Sequence, residues 1–214
     1  MKRLLVIRHA LPHEGHRSRP GDPPLHPDGR RHARRLARRL EHEGIDRIVS
    51  SPQQRALDTA APLARLLGLE PEVFEGLAEV DLHTDRYRSV ETLRAEEPER
   101  WDEFLASPVR FFGRDPAAYR AGVVEAYRAI VEGPGGSRIA VFTHGMATKT
   151  MLSAVLGLGE TRYSQFSIAH GSVTRLSGAT LATLRLDSLN ETLCNPGPQG
   201  HPPPPRKQPH VASR

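Results

Sequence analysis

The 214-residue chain reads as an α/β domain, a three-layer α/β/α sandwich with a mostly parallel central sheet. Three observations predict this. Short apolar runs alternate with longer segments whose apolar residues recur at helical spacing. Gly, Pro and Asp residues punctuate the joins. Polar residues able to do chemistry follow the apolar runs, where open parallel sheets collect their ligands.

The elements follow in order. Leu4-Leu5-Val6-Ile7 marks a buried strand over residues 3–8, ending in Arg8-His9. Residues 11–27 are rich in Pro, His, Gly and Arg and predict a loop. Asp28-Gly29 leads into a helix of about residues 29–42, with Ala33, Leu36, Ala37 and Leu40 on one apolar face. Ile45–Val49 is the next strand. Ser51-Pro52 then predicts a helix start, with serine as cap and proline in the first turn. That helix runs to about Leu67 and stops at Gly68, with Pro62 inside it as a kink or a division. Residues 72–115 read as irregular and helical excursions over one end of the sheet. A helix over 116–132 ends at Gly133-Pro134-Gly135-Gly136, and Arg138–Thr143 is a strongly buried strand. A helix to about Leu156 follows His144-Gly145. Val173–Leu176 and Leu181–Leu186 form a closing pair of strands around Ser177-Gly178. From Pro196 the composition turns to Pro, Gly, Gln, His and basic residues. This predicts one domain over 1–195 and a disordered tail over 196–214.

Composition narrows the class. Hydrophobic residues make 37% of the chain, enough for a core without staples. The single cysteine, Cys194, excludes an internal disulfide and a multi-cysteine zinc site. The first apolar run is too short for a secretory signal or a membrane span, so a cytoplasmic protein without a membrane partner is expected. The net charge of +5 is almost wholly arginine, with lysine only at Lys2, Lys149 and Lys207. Arg30, Arg31, Arg34, Arg35, Arg38 and Arg39 cluster on the polar face of the first helix. No aromatic residues interleave them, so they read as a solvated face rather than a nucleic-acid surface. His13, His16, His26, His32 and His42 lack a ligand spacing, so no metal is expected. His170, before Gly171-Ser172, reads either as the edge of a pocket or as a surface turn.

Four polar sites stand at strand ends or nearby turns: Arg8-His9, Arg55, Glu79 and His144. In a parallel sheet they could meet in one cleft despite their separation in sequence. The segments around them resemble the histidine phosphatase superfamily, in its phosphoglycerate-mutase-like branch. They are Leu5-Val6-Ile7-Arg8-His9-Ala10, Leu25-His26-Pro27-Asp28-Gly29-Arg30, Ser50-Ser51-Pro52-Gln53-Gln54-Arg55-Ala56-Leu57-Asp58-Thr59-Ala60, Leu77-Ala78-Glu79, Val141-Phe142-Thr143-His144-Gly145 and Leu189-Asn190-Glu191-Thr192-Leu193.

The resemblance implies a phosphoglycerate-mutase-like fold and a phosphohistidine mechanism. His9 would attack phosphorus, Arg8, Arg55 and His144 would surround the phosphoryl group, and Glu79 would handle the proton. The residue types suit that chemistry. Arginine's planar fork matches phosphate and keeps its charge, so cationic side chains can stabilise the transferred group without a metal or other cofactor. The helix starts after Ser51 and Gly145 could add backbone donors.

Two departures stand out. Ala10 occupies a position where the family usually has glycine, and alanine tolerates positive φ poorly. Leu11-Pro12-His13-Glu14 replaces the usual polar residues, including a common asparagine phosphate contact. The expected function is hydrolysis of small phosphomonoesters. The alternatives are a phosphoglycerate mutase using the same intermediate, and a catalytically weakened phospholigand-binding protein.

Overall fold

The computed structural model describes residues 1–159 and 165–192. Cys194, Leu193 and the expected tail from Pro196 lie outside the described residues. Six strands form one sheet: β1 (Lys2–Arg8), β2 (Arg47–Ser50), β3 (Glu72–Val73), β4 (Arg138–Thr143), β5 (Val173–Gly178) and β6 (Arg185–Glu191). Their spatial order is β3-β2-β4-β1-β5-β6. The β2–β3, β2–β4 and β1–β4 pairs are parallel, whereas β5 runs antiparallel to both β1 and β6.

Alternation along β1 and β4 explains the layers. Leu4, Val6, Ile139 and Val141 point to one face and pack with Tyr127, Ile130, Met151 and Leu152. These four belong to the helices α6 (Pro116–Glu132) and α7 (Gly145–Val155). Leu5, Ile7, Ala140 and Phe142 point to the other face and pack with Leu36, Leu40 and Leu63. Those come from α1 (Pro27–Leu40) and α2 (Gln54–Leu67). Both faces of the central strands are dry, which is why these strands are continuous apolar runs. The second face contains the apolar side of α1, and its six arginines at 30, 31, 34, 35, 38 and 39 are exposed. Among the described residues no helix is long and apolar enough to cross a membrane.

Several boundaries differ from the sequence reading. The first helix begins at Pro27, with the His26 side chain accepting from Asp28 N at 3.2 Å. The second begins at Gln54 rather than at Pro52. Ser51 does not cap it, because its hydroxyl is committed elsewhere. Instead the carboxylate of Asp22, from the 11–27 loop, accepts from Gln54 N at 2.9 and 3.1 Å. Pro62 sits inside α2 without dividing it, and Gly68 ends it in the left-handed conformation at φ 66°. The last strand is Arg185–Glu191, and Leu181–Thr183 is a 3₁₀ turn. That strand lies at the edge of the sheet and is mostly polar, so it carries no apolar-run signal. Residues 72–115 hold β3, α3 (Val90–Glu96), α4 (Trp101–Ala106) and α5 (Pro108–Phe111).

The connectivity creates the site. The chain leaves β1 through α1 on one face and leaves neighbouring β4 through α7 on the other. The carboxyl ends of these two adjacent strands are the usual ligand position in open α/β sheets.

Candidate active site

His9, Ser51 and His144 stand at the ends of β1, β2 and β4. Backbone bonds hold the first two in register: His9 N donates to Thr143 O at 2.9 Å and Ser51 N to Phe142 O at 2.9 Å. The ring centroids of His9 and His144 are 5.0 Å apart. All five residues singled out from sequence converge here. Arg55 and His144 are fully buried and His9 is 2% exposed.

The His9 tautomer follows from one contact. Its Nδ1 lies 2.8 Å from the carbonyl oxygen of Ala10. A carbonyl only accepts, so Nδ1 carries the proton and Nε2 keeps its lone pair. Burial, together with the positive field of Arg55 and the neighbouring His144, His170 and Arg8, holds the imidazole well below its ordinary pKa. The ring is therefore neutral and nucleophilic at Nε2. Arg55 contributes more to this than Arg8, the reverse of what adjacency in sequence suggests.

Arg8 donates from Nη1 to Ile168 O at 2.6 Å. Arg55 donates from Nη2 to Asp81 Oδ1 at 2.6 Å and lies over the Tyr87 ring, 4.9 Å from its centroid. Four further nitrogens of Arg8, Arg55 and His144 are buried without a hydrogen-bond partner among the described residues, Arg8 Nε, Arg55 Nε and Nη1, and His144 Nδ1, with Asp22 Oδ1 3.8 Å from Arg55 Nη1. Buried donors are rarely left so, and their cost falls when an anion supplies acceptors. His144 Nε2 meets Ser51 Oγ at 2.7 Å. With the hydroxyl as donor, the proton of the neutral imidazole sits on Nδ1. Burial, with Arg55 and Arg8 nearby, keeps that ring neutral too.

Glu79 is bound at both oxygens. Oε1 accepts from Val80 N and Oε2 from Met146 N, each at 2.9 Å. One N–H group in the first turn of α7, that of Met146, thus serves this carboxyl. Burial, then repulsion from Asp81, raises its pKa despite these donors and Arg55. A carboxyl in that state holds a proton longer than one in water.

Sequence reasoning missed the supports. Gln53 links the Glu79 backbone to the Asp81 carboxylate, accepting from Glu79 N at 2.7 Å and donating to Asp81 Oδ1 at 2.9 Å. Thr59 Oγ1 accepts from Ala10 N at 3.0 Å and donates to Arg55 O at 2.7 Å. Ala10 is fully buried. It is not a positive-φ residue, so alanine is unstrained there. Among the described residues no group of three or more His, Cys, Asp or Glu is arranged to hold a metal ion. His13 does meet His16 and His26, at 5.3 and 5.6 Å between ring centroids, but His26 Nδ1 caps α1. A separate cavity of about 230 Å³ opens at the opposite end of the sheet beside Arg138 and Arg175. Those arginines are already bonded to Glu43.

The model of the histidine phosphatase superfamily (branch 1) matches residues 4–192. The chain belongs to the histidine phosphatase superfamily. Among the relatives of this histidine phosphatase is the probable phosphoglycerate mutase GpmB of Cronobacter sakazakii. It is 30% identical over 160 residues, which cover 72% of this chain and 74% of the relative. The corresponding Yersinia enterocolitica protein is 29% identical over the same shares. In structure, the chain is similar to a mycobacterial glucosyl-3-phosphoglycerate phosphatase, with a TM-score of 0.73 and 22% identity over 90% of this chain and all of that one. It is also similar to the phosphoserine phosphatase of Entamoeba histolytica in complex with 3-phosphoglyceric acid. There the TM-score is 0.70 and the identity 23%, over 90% of this chain and 98% of that one. These likenesses bear out the expected fold class.

Proposed function

We propose that this histidine phosphatase hydrolyses small phosphomonoesters through a phosphohistidine on His9. The observation that carries the reading is the His9–Ala10 hydrogen bond. It points an unprotonated Nε2 away from the backbone, in a pocket where Arg8, Arg55 and His144 hold buried, unmatched donors.

In the first step His9 Nε2 attacks phosphorus and the bond from phosphorus to the ester oxygen breaks. Arg8, Arg55 and His144 bind the equatorial oxygens, where the charge spreads. Protonated Glu79 gives its proton to the leaving alkoxide. In the second step water attacks the phosphohistidine and Glu79, now ionised, takes the water's proton. The phosphorus–nitrogen bond breaks, which returns neutral His9 and releases inorganic phosphate. Arg8, Arg55 and His144 act in both steps as the fixed cationic and donor wall, so no metal ion is required by the charge balance.

A second reading, phosphoryl return to a bound product, takes support from the curated relatives named as mutases. Against it, the resemblance implies a glycine and tryptophan pattern after the glutamate in many relatives, where this chain has Val80-Asp81-Leu82-His83. The deciding experiment supplies 3-phosphoglycerate with and without 2,3-bisphosphoglycerate and follows free phosphate and 2-phosphoglycerate. Phosphate release should dominate; isomer formed much faster than phosphate would make the enzyme a mutase. A panel of cellular phosphomonoesters then ranks substrates, and no turnover on any of them would leave only the phospholigand-binding reading.

A further inference from the structure

His170 stands beside the nucleophile. Its ring centroid lies 5.1 Å from that of His9 with the planes tilted by 51°. The His144 ring lies at 5.0 Å and 56°. His9 is thus flanked by two imidazoles in nearly matched relation. Both His144 and His170 therefore border the nucleophile's ring.

The turn that carries His170 is held on several sides. Gly171 N donates to the carbonyls of Arg8 and His9, at 3.0 and 3.1 Å, tying the next residue to the nucleophile's own backbone. Ala169 N donates to Asn190 Oδ1 at 2.7 Å. Asn190 has φ 57° and is the only non-glycine residue with positive φ among the described residues, a conformation that persists only where surroundings impose it. From α1, His32 presses on Gly171 so closely that a Cβ there would lie 2.3 Å from its Cε1. Gly171 also has φ 67°, so its glycine is required twice over. The turn is fixed, and it sets the half-buried His170 beside His9.

We propose that His170 is a further phosphoryl-contacting residue, which in its imidazolium form donates a hydrogen bond to a phosphoryl oxygen across His9 from His144. The proposal rests on the phosphohistidine reading of the same site. A phosphorus bonded to His9 Nε2 carries three charged oxygens into the space that these rings border. Arg8, Arg55 and His144 come from β1, α2 and the end of β4, and His170 adds a donor from the β5 side. The charged and titratable groups that share the His9 pocket with it are Arg8 of β1, Arg55 of α2 and His144 before α7, and His32 of α1 lies behind Gly171. Arg8 and Arg55 disfavour an imidazolium while the pocket is free, and a bound phosphate dianion favours one. Charge at this site is therefore recruited by the ligand.

Two variants test this. His170→Asn keeps a neutral donor that does not titrate, and His170→Ala removes the donor altogether. Affinity for inorganic phosphate is measured by calorimetry between about pH 5.5 and 8, the range in which imidazole changes charge. In parallel, kcat/KM is measured for p-nitrophenyl phosphate. Affinity and kcat/KM should fall about 10- to 100-fold in the Ala variant, the scale of a lost charge-assisted donor. The wild-type to Asn affinity ratio should grow as pH falls, and taking the ratio cancels the titration of phosphate itself. An Ala variant matching wild type, or a wild-type to Asn ratio that does not change with pH, would overturn the proposal. If phosphate binds and the ratio behaves as expected while no ester is hydrolysed, the hydrolase reading fails and the His170 contact stands. If phosphate does not bind the wild type, both fall.

Discussion

Arg55 and Asp81 form a buried ion pair at 2.6 Å, with the guanidinium fully buried and the carboxylate 4% exposed. Gln53 donates to the same Asp81 oxygen. Asp81 is thereby committed to Arg55, and the proposed mechanism gives the proton transfer to Glu79. Asp81→Ala strands a buried charge and should cost about 3–5 kcal/mol, about 10 °C in Tm for a chain of this size. Asp81→Asn, which can still accept from both donors, should cost less. Thermal melting checks both, and an unchanged Tm in the Ala variant would show that the pair does not hold Arg55.

Glu79→Gln separates the two carboxyls by leaving group. Alkyl phosphates need protonation of the departing oxygen and should lose about 10²- to 10⁴-fold in kcat. Activated aryl phosphates need little protonation and should lose much less. Equal losses on both substrate kinds, or a larger selective loss in Asp81→Asn, would move the proton to Asp81.

The same contrast shows how far the sequence could be read. The helix over 116–132 and the strand over 138–143 have their expected bounds, because Pro116 and Gly133 mark the helix ends and an apolar run defines the strand. His9 and His144 directly follow β1 and β4, while Arg55 sits in the first turn of α2 and Glu79 follows the 3₁₀ turn Glu75–Leu77. Local signals could not show that Asp22 caps α2, that Gln53 joins Glu79 to Asp81, or that Ser51 meets His144 instead of capping a helix. Those partners lie 28 to 93 residues apart for the side-chain pairs Gln53–Asp81 and Ser51–His144, so only the fold pairs them. The polar edge strand over 185–191 carries no apolar run, and it was misplaced for that reason.

Stability should fall on mild acidification. His9 and His144 have folded pKa values depressed below the ordinary 6.5 by burial and by Arg55. The unfolded chain takes up protons there that the folded chain refuses. Their contribution is complete above about pH 6.5 and is lost as pH falls toward the depressed values. Glu79, whose pKa is raised, works in the opposite sense: its contribution is present at low pH and lost as pH rises. Tm should therefore drop from about pH 7 to 5, and drop more steeply in Glu79→Gln. A flat profile in both proteins would contradict the buried neutral histidines.

Turnover should survive exhaustive chelation, since Arg8, Arg55 and His144 supply the donors that a metal ion would otherwise supply. Loss of activity on chelation, restored by zinc, magnesium or manganese, would overturn this.

The phosphohistidine is the central claim. The direct measurement is rapid quenching of the enzyme with a ³²P-labelled phosphomonoester, followed by recovery of protein-bound label. Wild type should carry acid-labile, base-stable phosphate on His9. His9→Ala should carry none and should lose turnover by about 10⁴-fold or more while keeping its fold. Near-normal hydrolysis by His9→Ala, with or without label elsewhere, would contradict the mechanism.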